Sequence, residues 1–309
     1  MKKITKICLF VFLAASVVFA GCGQKKTRTF GFTSMRISNP FFTLIEQTIR
    51  EEVEKNGDKL ISVDPDMDAQ KQISQIEELI AQKIDAIFIN PVDWEAIKPA
   101  LVSLDRAKIP VINYDAEVRD MELVDAYVGS DNRNAGYICG LDLVKRLPNG
   151  GPIAILDCPG MRSIRDRIDG FNEAIAGKGF TVVFLRDAQG NSVDGKRYTE
   201  ELLRSNTRVL AIMGGNDPTA LGAFAACRNA NRTNILIYGV DGSPLAKAAI
   251  AERGQFAGTG AQSPINIAKK SVEVAYKILN KKPYEKNIPI KTFMINQDNI
   301  DDYDVDSWQ

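Results

Sequence analysis

The sequence predicts an α/β protein built from two similar doubly wound parallel-sheet domains. Three observations carry this prediction. Short apolar runs alternate with longer stretches of helical periodicity from Thr29 onward. Runs such as Ala86-Ile-Phe-Ile89 are apolar throughout, as in a parallel strand covered on both faces. The alternation also yields more strands than one compact open sheet ordinarily holds.

The first unit spans residues 28–57. Phe30 and Phe32 alternate in a short strand, and Ser38-Asn39-Pro40 ends it, because proline keeps its predecessor out of the helical region. Phe42, Ile45, Ile49 and Val53 then recur on one helical face up to Asn56-Gly57. Further strands are expected at 59–63, 86–89, 110–115 and 124–128, with helices from Asp68 and from Trp94 between them. A second set begins with a helix at 135–147. Its strands are expected at 153–156, 181–185, 209–213, 235–240 and 258–261, again with helices between, and a last long helix runs over 264–279. No stretch inside the chain reads as a flexible linker. The domain joins are expected at Gly129-Ser130-Asp131 and Gly260-Ala261-Gln262, which returns the last helix to the first domain.

Composition narrows the chemistry. Of 309 residues, 45% are hydrophobic, enough for a sizeable core. Lys+Arg and Asp+Glu both number 39, so no charge excess points to nucleic acid. Histidine is absent, which excludes Ser-His-Asp and Cys-His catalysis within the chain, and His-ligated zinc. No dinucleotide fingerprint, phosphate loop or nucleophile elbow occurs. No metal or cofactor is expected.

Lys2, Lys3 and Lys6 precede an apolar run over residues 7–20, too short and wrongly flanked to span a membrane. Residues 1–21 read as a secretory signal peptide. The run ends Val18-Phe19-Ala20-Gly21-Cys22, which resembles a bacterial lipobox with Phe19 in place of the usual leucine. Cys22 is then the lipidated first residue, and residues 22–28 tether the protein to the membrane. Ordinary cleavage nearby with a free Cys22 is the other reading. Cleavage removes three lysines and no acidic residue, leaving a net charge of −3. Cys139, Cys158 and Cys227 lack metal-type spacing and read as buried thiols, with a single disulfide as the alternative.

Several apolar strands end in hydrogen-bonding residues: Asn90, Asp115, Asn216, Asp241 and Gln262. Strand ends of a parallel sheet share one edge, and ligands of open α/β sheets bind there. Two such edges facing each other suit a neutral, hydroxyl-rich ligand, because each hydroxyl both donates and accepts. Phe41 and Phe42 would add apolar faces for a sugar ring. Each polar residue also has a local explanation, since Asp and Asn favour helix caps and turns, and both phenylalanines could simply be core. Among Arg162, Arg165 and Arg167, at least two are expected in solvent. Trp94 either covers the ligand or packs. Catalysis by Asp115 with Asp241 stays open, although no motif demands it.

With these residues in view, the chain resembles the periplasmic sugar-binding proteins of ABC importers, of the ribose-binding type with the type I fold. The resemblance runs from about Thr29 to the end. It rests on Asn39-Pro-Phe-Phe42, Ile89-Asn-Pro91, Ile109-Pro-Val-Ile112 leading to Asp115, Ser130-Asp-Asn132, Arg165-Asp-Arg167 before Gly170-Phe171, Asn216-Asp217 before Ala220-Leu221-Gly222, Gly239-Val-Asp-Gly242 and Ala261-Gln262. It implies ligand contacts from Asn39, Phe41, Phe42, Asn90 and Asp115 in one lobe. Arg165, Asn216 and Asp241 would come from the other lobe, and Gln262 from the hinge. It implies three crossing segments, near Ser130, Gln262 and Pro289. The lobes are then 29–130 with 262–289, and 131–261 with 290–309, closing over the sugar by a hinge motion.

Two positions depart from the ribose-binding pattern: Ala116 where an arginine follows the strand-end aspartate, and Gly190 where the second lobe carries an aromatic ring. Both argue against ribose itself, and Trp94 could replace the missing ring. The expected function is an extracytoplasmic, lipid-anchored, monomeric binding protein. It would deliver a monosaccharide or sugar alcohol to a separate permease and ATPase. A sugar sensor for a chemoreceptor or kinase, a transcription-regulator core and a sugar-modifying enzyme are the alternatives.

Overall fold

A computed structural model describes residues 27–205 and 207–309. The expected signal peptide, residues 1–21, and the expected lipidation site Cys22 lie outside the described residues. The first lobe carries strands β1 (Thr29–Thr33), β2 (Lys59–Val63), β3 (Ala86–Ile89), β4 (Val111–Tyr114) and β5 (Ala126–Ser130). The second carries β6 (Gly151–Asp157), β7 (Phe180–Asp187), β8 (Ala211–Gly214), β9 (Leu236–Asp241) and β10 (Phe256–Ala261). Two short strands follow, β11 (Asn287–Ile290) and β12 (Phe293–Asn296), one for each sheet. The orders are β11-β5-β4-β3-β1-β2 and β12-β10-β9-β8-β6-β7. All described pairings are parallel except β12 on β10.

Helices cover both faces of each sheet, so each has two apolar cores. In the first lobe, α1 (Pro40–Lys55) and α9 (Pro264–Leu279) bury one face, and α2 (Ala69–Ala81) and α3 (Lys98–Ala107) the other. In the second, α4 (Asn132–Arg146) and α5 (Arg162–Ile175) oppose α6 (Ser192–Arg204), α7 (Asp217–Asn229) and α8 (Pro244–Ala251). The helix starts follow local chemistry. Asn39 Oδ1 accepts the Phe41 N–H at 3.0 Å, and Asp68 Oδ1 accepts that of Lys71 at 2.9 Å. Helix α1 buries Phe42, Ile45, Ile49 and Val53, the expected stripe, and also Phe41.

Three expectations need correction. The helix expected from Trp94 begins at Lys98, because Asp93 Oδ1 accepts from the Glu95 and Ala96 N–H groups, both at 2.8 Å, and holds a turn there. The strand expected to end at Val128 continues to Ser130. The third crossing falls at 291–292 rather than at Pro289, because Ile290 still pairs with Ser130. Strands β11 and β12 escaped the sequence reading. Each is four residues long and lies at a sheet edge, where Pro289 leaves no gap in a ladder.

Helices α4 and α5 approach backbone to backbone at Gly136 and Gly170. A Cβ on Gly136 would stand 1.7 Å from Arg167 O, and one on Gly170 1.9 Å from Arg133 O. The backbone of Arg167 is therefore set by a glycine on the neighbouring helix. Gly136→Leu is expected to destabilise the protein by about 1–3 kcal/mol through overpacking. The check is a lowered urea midpoint with an unchanged slope.

Candidate functional site

Strand order reverses between β1 and β3 in one sheet and between β6 and β8 in the other, and both reversals open at the carboxyl ends of the strands. In the first lobe Asn90 follows β3 and Asp115 follows β4. Asn90 Nδ2 donates to Asp115 Oδ2 at 2.8 Å, and both side chains are buried. Asp115 has φ +61°, a left-handed conformation that aspartate tolerates better than most residues. The surrounding turn is held by Asn113, whose Nδ2 donates to Ala116 O at 2.8 Å, and by the Tyr127 hydroxyl, which donates to Asp115 O at 2.7 Å. Gln72 on α2 fixes the other loop. Its Nε2 donates to Asn90 O and its Oε1 accepts from Val92 N, both at 2.9 Å. None of these supporting residues stood out in the sequence, because each sits within a strand or helix and its role needs contacts across elements.

In the second lobe the buried guanidinium is Arg167, not Arg165. Arg167 Nε donates to Asn132 Oδ1 at 2.8 Å, and Nη1 to Gly215 O at 3.1 Å and Asp241 Oδ1 at 3.3 Å. Gln262 Nε2 also donates to Asp241 Oδ1, at 2.8 Å. Asp241 ends β9 with φ +148°, sparsely populated for a residue other than glycine and held by this network. Behind it Asp217 accepts from the Thr259 hydroxyl and the Ser243 N–H, both at 2.7 Å. Arg165 lies outside, exposed, with its Cζ 5.6 Å from the Trp94 ring centroid across the cleft. The two arginines are two residues apart on α5, and only the helical phase separates them.

The remaining expected residues divide. Phe41 and Phe42 are buried, with centroids 5.4 Å apart in an edge-on pair. Asn39 is exposed and caps α1, so its local role is satisfied. Asn216 accepts from Thr219 N at 3.0 Å and donates to Gly190 O at 2.8 Å, so both ends of its amide serve the fold. A Cβ on Gly190 would meet Asn216, Ile164 and Met161, so Met161 stands near the position where the ribose-binding pattern carries a second-lobe ring. Cys139, Cys158 and Cys227 are free, buried thiols.

Among the buried side-chain atoms without a hydrogen-bond partner in the described residues are two acceptors beside the strand-end carboxylates, Asn90 Oδ1 and Gln262 Oε1. They flank the charges that meet at the cleft. Burial pushes the Asp115 carboxyl up to about 6, against the pull of Arg167 and the Asn90 hydrogen bond and with the push of Asp241. Asp241 is also raised, first by burial, while Arg167 lowers it. Asp217 is raised by burial and by the neighbouring Asp241 charge. Among the described residues no cluster of three or more Cys, Asp or Glu side chains could hold a metal ion.

Two doubly wound lobes, three crossings and polar strand ends facing across a cleft define a two-lobed solute-binding protein. The chain belongs to the periplasmic binding protein family, whose domain profile matches residues 30–283. It is 35% identical over 272 residues to the ribose import binding protein of Bacillus subtilis, covering 87% of this chain and 88% of that protein. It is 31% identical to the ribose import binding protein of Haemophilus influenzae, covering 96% and 100%. A solved ABC transporter solute binding protein from Bacillus halodurans, with bound myo-inositol, superposes with a TM-score of 0.85 at 27% identity, covering 91% of this chain and 98% of that one. The binding component of the arabinose ABC transporter from Shewanella sp. ANA-3, bound to L-arabinofuranose, gives 0.83 at 28%, covering 89% and 93%. These relatives are sugar-binding, ribose-binding-protein-like components of ABC transporters, not enzymes.

The raised Asp115 pKa has a consequence for stability. The folded state keeps a proton that the unfolded chain, with the ordinary value of 3.8, releases; stability is therefore lost as pH rises from about 3.8 to about 6. Asp115→Asn removes this cost. Its ligand-free melting temperature is expected to exceed that of the wild type at pH 7.5, by about 2–4 °C for roughly 1 kcal/mol. The difference should shrink below pH 4. Calorimetry at the two pH values checks it.

Proposed function

We propose that the protein is a lipid-anchored, extracytoplasmic and monomeric binding protein that captures a monosaccharide or sugar alcohol. It hands the ligand to a membrane permease driven by a separate ATPase. The observation that carries the ligand class is the pair of unpartnered buried acceptors, Asn90 Oδ1 and Gln262 Oε1, beside Asp115, Arg167 and Asp241. Vicinal hydroxyls can donate to the first two and to the carboxylates while accepting from the guanidinium. Phe41 and Phe42, paired at the start of α1, would offer apolar faces for the C–H side of a ring. Trp94, held by Arg165, lies at its mouth and covers the ligand.

Ribose, myo-inositol and L-arabinofuranose, named for the relatives, share runs of adjacent hydroxyls. Ala116 and Gly190 each withhold a group that the ribose-binding pattern carries, which favours a ligand other than ribose. Export by the signal peptide and anchoring through Cys22 complete the reading.

A thermal-shift screen of residues 23–309 against pentoses, hexoses, tetritols, pentitols and inositols tests this. One sugar is expected to raise the melting temperature, since ligand at a hundred times its dissociation constant stabilises by about 2.7 kcal/mol. If nothing shifts the protein, and mass spectrometry of the denatured sample finds no copurified sugar, the reading fails. Arg167→Lys is expected to weaken the sugar found by roughly tenfold to a hundredfold, the worth of one charged hydrogen bond in a buried site. Isothermal titration measures it. Arg165→Lys should cost far less.

A further inference from the structure

Residues 303–309 connect the lobes a fourth time. The segment is fastened to the second lobe: Tyr303 and Val305 pack on its core, and Tyr303 stacks on Phe293 with centroids 5.9 Å apart. Lys247 on α8, fully buried, donates from Nζ to Asp304 O at 2.5 Å and to Ser307 O. A buried ammonium is costly to desolvate, so these carbonyls fix the segment closely. The next residue belongs to the other lobe. Trp308 packs on the first lobe's core and meets Phe41 edge-on, with centroids 5.6 Å apart. Gln309 returns to the hinge, where its Nε2 donates to Gln262 O at 2.7 Å and its Oε1 is buried without a partner among the described residues. A Cβ on Gly242, at φ +75°, would stand 2.3 Å from Gln309 Nε2, so this glycine admits the side chain.

We propose that Trp308 and Gln309 are positioning residues of the ligand site, latching the closed state by gripping Phe41 and the Gln262 hinge from the second lobe. The three hinge crossings are covalent and persist when the lobes part. The Trp308–Phe41 contact joins side chains fastened to different lobes, so opening breaks it. An interaction made only in the closed state raises the population of that state, and apparent affinity rises in proportion. The aromatic edge of Trp308 also sets the Phe41 ring, so the segment acts on the ligand through Phe41 and Gln262. The ligand class rests on the reading given above; the latch does not.

The test uses the chain from Gly23 to Gln309 without ligand. Small-angle X-ray scattering is compared for wild type, Trp308→Ala, Gln309→Ala and Trp308→Phe, with calorimetric melting to confirm that each is folded. Both alanine variants are expected to shift toward the open form with a larger radius of gyration, and Trp308→Phe to keep the wild-type profile. D-ribose, L-arabinose and myo-inositol are then titrated. For each that binds, Trp308→Ala is expected to raise the dissociation constant by a common factor of about three to ten, the equilibrium worth of one aromatic pair. Unchanged scattering in folded alanine variants overturns the proposal. A loss confined to one sugar also overturns it, since that makes Trp308 a direct contact. If none of the three sugars binds the wild type, only the ligand class is affected, and scattering alone decides the latch.

Discussion

Three charges, on Asp115, Arg167 and Asp241, are taken out of bulk water where two parallel sheets end facing one another. Burying a charge costs several kcal/mol unless partners replace the lost hydration. Much of the surrounding structure supplies those partners. Asn90 and Gln262 donate to the two carboxylates, and Asn132, Gly215 and Asp241 accept from the guanidinium. Gln72, Asn113 and Tyr127 then hold the loops that carry these groups. The unusual φ angles of Asp115 and Asp241 belong to the same demand, since each turns a strand end so that its carboxylate faces the cleft.

That arrangement explains how one fold can bind selectively and still release. Each lobe has its own two cores, so the cleft is not where most apolar surface is buried. The contacts across it are few: Arg165 over Trp94, Arg162 Nη2 3.7 Å from Glu117 Oε2, and Trp308 on Phe41. Each is an exposed ion pair or a single ring contact, worth about 1 kcal/mol or less to the pair. On the proposed reading, a ligand that completes the hydrogen bonds of Asn90 and Gln262 would decide whether the lobes stay together.

Helix α5 carries information that its sequence does not show. Arg165 and Arg167 both lie in a short basic stretch that resembles the sugar-binding pattern, and composition cannot separate them. Helical phase turns one toward Trp94 at the rim and the other inward onto Asn132, Gly215 and Asp241. Asn39 and Asn216 show the reverse case. Both are candidates by position, and the side-chain oxygen of each also caps a helix start. Trp308 and Gln309 carried no motif, because nothing local in residues 303–309 says that Lys247, some sixty residues earlier, will hold the segment against the cleft.

By itself the sequence determined the doubly wound α/β class, the two-lobe division and the first two crossings. It also singled out Asn90, Asp115, Asp241 and Gln262, which hydrogen-bond in pairs where the strands end. These follow from short-range facts: apolar periodicity, glycine and proline punctuation, and polar residues at strand ends. Tertiary structure alone decided which arginine is buried, where the third crossing falls, how β11 and β12 complete the two edges, and that Trp308 reaches the first lobe. Each of those depends on which atoms meet across elements far apart in the chain, and periodicity within one element carries no information about that.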